Sequence, residues 1–298
     1  MQRWLIVGSG HVARCLMSIP HPGHRQVIAL CRTAERASEW RALGVVPLLG
    51  DLDDAPTLRR LSGIAEVVFH FAPPPGTGTG DPRTRHLIAS LARGAILPRH
   101  LVYISTTGVY GNRPDHLVRE TTPVQPSTAR ARRRVAAEIL LREFGKRSGC
   151  HVSILRAPGI YDADRLPIRQ LQTGEPVPDH DSDPWTNHVH ARDLARAAWR
   201  AVFHGRPNRL YNAVDNSHLR LGEYYDLVAR HFGLPPPPRL SSEELKKQIS
   251  EVRWSFMAES RKIANDRIRR ELRQSWYHAT VGDFLSTLSV AADTPAKN

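Results

Sequence analysis

The strand-like run Trp4–Val7 leads without a break into Gly8-Ser9-Gly10-His11-Val12-Ala13, and few folds accommodate that junction. A glycine at the first position permits a tight turn. A glycine at the third lets the backbone approach an anion closely, and the small Ala13 lets the following helix pack against the strand. The amides at the helix start then face a phosphate. Gly-x-Gly-x-x-Ala is a short motif, and its weight comes from standing at the first strand–helix junction of a repeating pattern. Gly8, Ser9, Gly10, His11 and Val12 are therefore expected to hold the pyrophosphate of a dinucleotide.

The repeating pattern runs through the first two thirds of the chain. Strands are expected at Trp4–Val7, Gln26–Leu30, Val45–Leu49, Glu66–Phe71, Leu101–Ser105 and His151–Arg156. Helices are expected near His11–Ile19, Ala34–Leu43, Pro56–Leu61, Arg83–Arg93 and Ala129–Arg147. Short apolar runs alternating with helical stretches predict an α/β fold, a doubly wound parallel sheet wrapped by helices. After Arg156 the rhythm breaks into a Pro/Gly/Asp-rich stretch with one short helix, about Leu166–Gln172. A helix over Ala191–Phe203, with Asp193 in its first turn, and a strand over Arg209–Ala213 follow. From Leu221 the chain reads as mostly helical, interrupted by the rigid Pro235–Pro238 linker. The expected division is a nucleotide-binding domain of residues 1–158 plus 188–215, a smaller, mostly helical substrate cap of 159–187 plus 216–290, and a frayed tail of 291–298.

Several function classes are set aside at this point. No apolar run approaches the roughly 18–20 residues of a membrane helix. The N-terminus feeds the glycine turn directly and does not read as a signal peptide. Three cysteines, an odd number with no Cys-x-x-Cys, argue against disulfides and a structural zinc site, so no metal and a cytoplasmic setting are expected. The formal net charge of +13 raises nucleic-acid binding, and Arg130-Ala-Arg-Arg-Arg134 is the densest basic cluster. No helix-turn-helix, zinc-finger or RNP signature accompanies it, and no aromatics are interleaved with it. A basic surface that attracts phosphate-bearing small ligands is the simpler reading.

Cofactor choice is read about 20 residues beyond the glycine turn, at the end of the second strand, where a carboxylate usually holds the ribose hydroxyls of NAD. Here the chain has Cys31-Arg32-Thr33. A guanidinium matches a 2′-phosphate, so Arg32 favours NADP, with NAD still possible.

Taken in order, these segments resemble the extended and atypical short-chain dehydrogenase/reductases, in particular the NAD-dependent epimerase/dehydratase-like branch, from Leu5 to about Leu288. Gly50-Asp51-Leu52 is similar to the family's Asp-Leu near adenine, and Phe71-Ala72-Pro73-Pro74 to its segment beside the cofactor ribose. Leu101–Gly111 is similar to its fifth strand and Ser/Thr-rich active-site turn, which includes Thr106, Thr107 and Tyr110. Leu155–Tyr161, with Pro158, Ile160 and Tyr161, is similar to the segment that walls the nicotinamide. His188-Val-His190-Ala-Arg-Asp193 is similar to a further cleft element, and Leu210-Tyr-Asn212 to a late strand that returns to the sheet. The resemblance implies a Rossmann-like sheet, a substrate cleft under the cap, and a small substrate, often a nucleotide sugar. It leaves a homodimer open.

One departure bears on chemistry. Family members use a Ser/Thr, a Tyr and a Lys four residues later. Alignment puts Thr106 in the first role, but Arg130 and Arg134 where the tyrosine and lysine belong. A guanidinium stays protonated, with a pKa above about 12, and relays no proton at neutral pH. Either relocated groups serve (Tyr110 or Tyr161 as a phenol, His188 or His190 as an imidazole), or the chain is a non-catalytic NADP-binding sensor or scaffold. Thr106 and Tyr110 are the expected catalytic residues. Thr107, Arg130, Arg134, Tyr161 and His188 are expected to contact substrate, with the two arginines facing one cleft and binding an anionic group.

Overall fold

A computed structural model describes residues 2–20 and 25–288 of the chain; the tail expected at 291–298 lies outside the described residues. In chain order the strands are β1 (Gln2–Val7), β2 (Arg25–Cys31), β3 (Val46–Leu49), β4 (Val67–His70), β5 (His100–Thr106), β6 (Arg113–Val118), β7 (His151–Ala157), β8 (Gly159–Tyr161), β9 (Val177–Pro178), β10 (His188–His190), β11 (Arg209–Asn212), β12 (Arg239–Leu240) and β13 (Arg261–Ile263). The helices are α1 (His11–Met17), α2 (Ala34–Ala42), α3 (Pro82–Leu91), α4 (Ala129–Ser148), α5 (Ile168–Gln172), α6 (Ala191–His204), α7 (Leu221–Phe232), α8 (Ser242–Gln248), α9 (Glu251–Met257), α10 (Asp266–Glu271) and α11 (Val281–Ser286).

Seven strands form one parallel sheet in the order β11-β7-β5-β4-β1-β2-β3. The order reverses between β1 and β4, the crevice where a doubly wound sheet binds a dinucleotide. Both faces are covered, which explains why Trp4–Val7 reads as an unbroken apolar run. Trp4 and Ile6 pack on one face with residues of α1, α2 and α6. Leu5 and Val7 pack on the other with residues of α3 and α4.

Local chemistry sets the ends of the helices that frame the site. Thr128 caps α4 by accepting the Ala131 N–H at 3.1 Å, and Gly149 closes it at φ 72°. His190 starts α6, its Nδ1 accepting the Arg192 N–H at 3.3 Å. The expected helix at Pro56–Leu61 is a 3-10 turn over Ala55–Leu61 instead. Its Pro56 stands near the start and, lacking an N–H, is accommodated in the first turn.

Beyond β7 the chain leaves the sheet and returns as β11, where Leu210 lies opposite Ile154. The excursion between them carries β8, which pairs in parallel with β10. A separate apolar cluster joins Tyr161, Leu166, Leu171 and Val177 to Tyr224, Val228, Phe284 and Leu285. The C-terminal stretch divides its packing: Ile268 and Leu272 enter the main core, and β13 pairs with β6.

Candidate functional site

The glycine turn is held by the backbone beneath it. The Phe71 and Ala72 N–H groups both donate to the Val7 carbonyl, at 2.7 and 2.9 Å. This pulls the β4 exit under Gly8, whose φ is 103° and whose missing Cβ would lie 2.3 Å from the Ala72 nitrogen. Only glycine fits there. A Cβ on Gly10 would meet open space, and α1 begins with no side-chain cap and no acid in its first turn.

These elements border a groove of about 500 Å³. Gly8, Ser9, Gly10, His11, Val12, Arg32, Asp51, Leu52, Ala72, Pro73 and Ile160 all line it. Pro158 does not; it faces the neighbouring cleft. Arg36 and Arg83 are lining residues that sequence reasoning missed. Arg36 lies in the first turn of α2, four residues beyond Arg32, an interval visible in the sequence. Arg83 forks onto Asp53 at 2.8 and 2.5 Å and also reaches the Pro73 carbonyl, contacts with no local signature.

Next to the groove lies a second cleft of about 440 Å³, sharing Ile160 and Arg165 with it. Thr106, Thr107, Arg130, Tyr161 and His188 line it, together with Tyr224, Arg253 and Phe256 of the C-terminal segment. Thr106 ends β5, and its hydroxyl accepts the Gly108 N–H at 3.2 Å. Arg130 lies 3.8 Å from the Phe256 ring centre; burial lowers its pKa, and the nearby Glu259 acts against that. A guanidinium so placed remains a cation at neutral pH.

Two expected placements are corrected. Tyr110 lines neither cleft: it is fully buried, its hydroxyl donates to Asn212 Oδ1 at 2.7 Å, and the Arg156 guanidinium lies 4.5 Å from its ring centre. Burial raises its pKa, so it is a structural phenol. Arg130 and Arg134 also do not face one cleft. Arg134 turns to the nucleotide groove, donating to the Tyr103 hydroxyl at 3.0 Å and the Ile104 carbonyl at 2.8 Å. The end of β5 draws one arginine, and the Phe256 ring on α9 draws the other.

His188 and Tyr161 in the cleft wall are held neutral. His188 packs between Tyr161 and Tyr224, and burial depresses its pKa to about 3. Tyr161 is buried beside Asp215, and desolvation together with that carboxyl pushes its phenol far up. Burial in turn raises Asp215 to about 7. His190 is pushed down to about 4 by burial, which outweighs the opposing pull of Asp162.

Among the described residues no helix is long and apolar enough to cross a membrane. The sequence profile of the NAD dependent epimerase/dehydratase family matches residues 6–213. A human dTDP-D-glucose 4,6-dehydratase is 28% identical over 142 residues, which is 45% of this chain and 40% of the relative. The chain thus aligns with about two fifths of that relative's length. A functionally unknown conserved protein from Silicibacter pomeroyi superposes with a TM-score of 0.81 at 26% identity, over 99% of this chain and 100% of its own. A dTDP-glucose 4,6-dehydratase from Streptomyces venezuelae, solved with NAD bound, shares the fold at a TM-score of 0.73 and 19% identity, covering 95% of this chain and 96% of its own.

Proposed function

Because the chain belongs to the NAD dependent epimerase/dehydratase family, we propose that it binds NADP(H) in the glycine-turn groove and acts as an oxidoreductase or epimerase-like enzyme on a small anionic or nucleotide-sugar-like substrate in the adjoining cleft. The observation that carries this reading is the continuity of the two cavities at Ile160 and Arg165. The groove suits a dinucleotide: open space at Gly10, an uncapped helix start, and Arg32 with Arg36 beyond β2 for a 2′-phosphate. A bound nicotinamide supplies or accepts hydride. In this reading Pro158 flanks the nicotinamide end from the cleft side, Arg134 lies by the cofactor ribose, and the cytoplasm keeps the three free cysteines reduced.

The acid/base pair usual in the family is replaced, so the cleft works by electrostatics. Thr106 orients a substrate oxygen, and Arg130 stabilises the negative charge that develops on it, leaving the proton to come from solvent. Fixed donors aimed at a developing oxyanion stabilise a transition state without any proton relay. Thr107, Tyr161 and His188 form the neutral wall against which the substrate packs.

The test is turnover. Purified protein is mixed with NADP(H) and a panel of carbonyl compounds and nucleotide sugars; nicotinamide absorbance reports net redox turnover, and product analysis reports epimers, which form without net change in the cofactor. Substrate-dependent turnover that Arg130→Ala abolishes is the expected outcome. The second reading, a non-catalytic NADP-binding sensor, is favoured by one observation: Tyr110 is removed into the core and the cleft's His188 and Tyr161 stay neutral. NADPH binding with no turnover across the panel would select it.

A further inference from the structure

We propose that His11, Cys15 and Asp162 form a binding site for a divalent metal of the zinc class, beside the nucleotide groove. His11 and Cys15 are four residues apart on α1 and so share one face of that helix. Asp162 comes from a distant segment, held between β8 and the 3-10 turn Ala163–Arg165 that it caps. One donor atom from each residue lies within 4.8 Å of the others.

The choice of atoms separates a metal site from a proton relay. His11 Nε2 lies 2.7 Å from Asp162 Oδ2 and 3.9 Å from Cys15 Sγ. A thiol–imidazole–carboxylate relay would use the two ring nitrogens separately, one toward the sulfur and one toward the carboxylate. Here a single nitrogen faces both, and nitrogen, sulfur and oxygen lie within 4.8 Å of one another, the arrangement of a shared centre. Bond lengths of about 2.0–2.3 Å in a tetrahedral zinc site put ligand atoms about 3.3–3.6 Å apart. The sulfur–nitrogen distance is already close to that, and the nitrogen–oxygen contact opens by about 0.6 Å when the metal replaces the shared hydrogen.

An independent observation lies behind the carboxylate. The His190 side chain is 6% exposed, and its Nε2 has no hydrogen-bond partner while lying 3.6 Å from Asp162 Oδ1. Its Nδ1 accepts the Arg192 amide, which leaves Nε2 as the unpartnered ring atom on the side of Asp162. In the proposed site it is the outer-shell partner that the carboxylate reaches when Asp162 shifts onto the metal. β10 holds it in place, with His190 opposite Tyr161 in β8. Three protein ligands leave a fourth position for water or an anionic oxygen. Cysteine count and spacing give no sign of such a site, because the other ligands are a histidine and an aspartate.

The experiment uses the full chain without an affinity tag, stripped with a chelator and dialysed against zinc or cobalt(II). About one zinc per chain should be retained by elemental analysis. The cobalt form should show a near-ultraviolet thiolate charge-transfer band that Cys15→Ala removes. Cys15→Ala and Asp162→Asn should each weaken zinc binding at least tenfold while circular dichroism stays unchanged, and His190→Gln should weaken it by about tenfold, as loss of an outer-shell partner does. Failure of the wild type to retain zinc, or a cobalt spectrum that Cys15→Ala leaves intact, would overturn the site. If Cys15→Ala does not fold, Cys15→Ser takes its place, and a thiolate band that survives in it overturns the site equally.

Discussion

The buried pair Glu138–Arg156 gives the sharpest quantitative test of how α4 is fastened to the sheet. Arg156 of β7 forks onto Glu138 of α4 at 2.9 and 2.6 Å, and Ser105 of β5 donates a third bond to the same carboxylate at 2.6 Å. The two side chains are 4% and 5% exposed, so neither charge can turn to water. The carboxylate raises the Arg156 pKa against its desolvation. Glu138→Gln removes one charge and strands the other in the core, a change that costs about 3–5 kcal/mol. At roughly 2–4 °C per kcal/mol for a chain of this size, the melting temperature should fall by about 6–20 °C. Replacing both partners, as Glu138→Leu with Arg156→Met, removes the stranded charge and should recover most of the loss, because well-packed apolar replacements of buried pairs are often neutral. Urea unfolding and thermal melts of both variants measure this. A single variant within about 1 kcal/mol of wild type, or a double variant as unstable as the single, would refute the assignment of the pair as a desolvated, mutually dependent unit.

Four further outcomes are expected. Arg32→Glu should erase or invert the preference for NADPH over NADH, read as the difference in melting shift; a ligand at 100 times its dissociation constant adds about 2.7 kcal/mol. Equal shifts from both cofactors in the wild type would remove the basis for NADP. Arg130→Ala should weaken anionic-ligand binding tenfold or more, consistent with about 1.5–3 kcal/mol for a charged hydrogen bond, and leave NADPH affinity intact, whereas Arg134→Ala should weaken NADPH. Titration calorimetry of both variants separates the two. Gly8→Ala should abolish cofactor binding and destabilise the fold by about 1–3 kcal/mol, since it combines a strained φ with a clash against Ala72; normal NADPH affinity in this variant would contradict the geometry of the turn. Finally, folded Asp215 keeps its proton up to about pH 7, while the unfolded chain releases it near 3.8, so stability falls as pH rises across that window. His188 acts oppositely: it stays neutral down to about pH 3 when folded but protonates below 6.5 when unfolded, so stability falls as pH drops through that range. Asp215→Asn should raise stability at pH 8 and leave the acid-side slope of His188; an unchanged alkaline stability would exclude the buried carboxyl.

Whatever depends on local pattern was readable in advance. Trp4–Val7 is apolar because both faces of a parallel sheet are covered, and Gly8 is glycine because the Ala72 backbone passes beneath it. Arg32 could be found by counting from the turn. The misplacements share a cause: side chains whose direction is settled by partners far along the chain. Tyr110 is drawn inward by Asn212, and Arg134 to the nucleotide groove by Tyr103 and Ile104. β6 was missed because Arg113–Val118 is polar and contains Pro114, and it becomes a strand only by pairing with β13, nearly 150 residues later. The convergence of Asp162 on His11 is equally invisible before the β8–β10 pair is formed.

The return of β11 to the sheet edge sets an order of assembly. β7 can pair on its outer side only after some 50 further residues have been made, and the cluster around Tyr161 in the intervening stretch waits longer still, for Tyr224 and Phe284. During synthesis β7 is therefore an open, apolar strand edge, the kind that pairs with other chains. A fragment truncated just before Arg209 should accordingly self-associate, whereas the full chain, with β11 in place and the Tyr161 cluster complete, should stay dispersed.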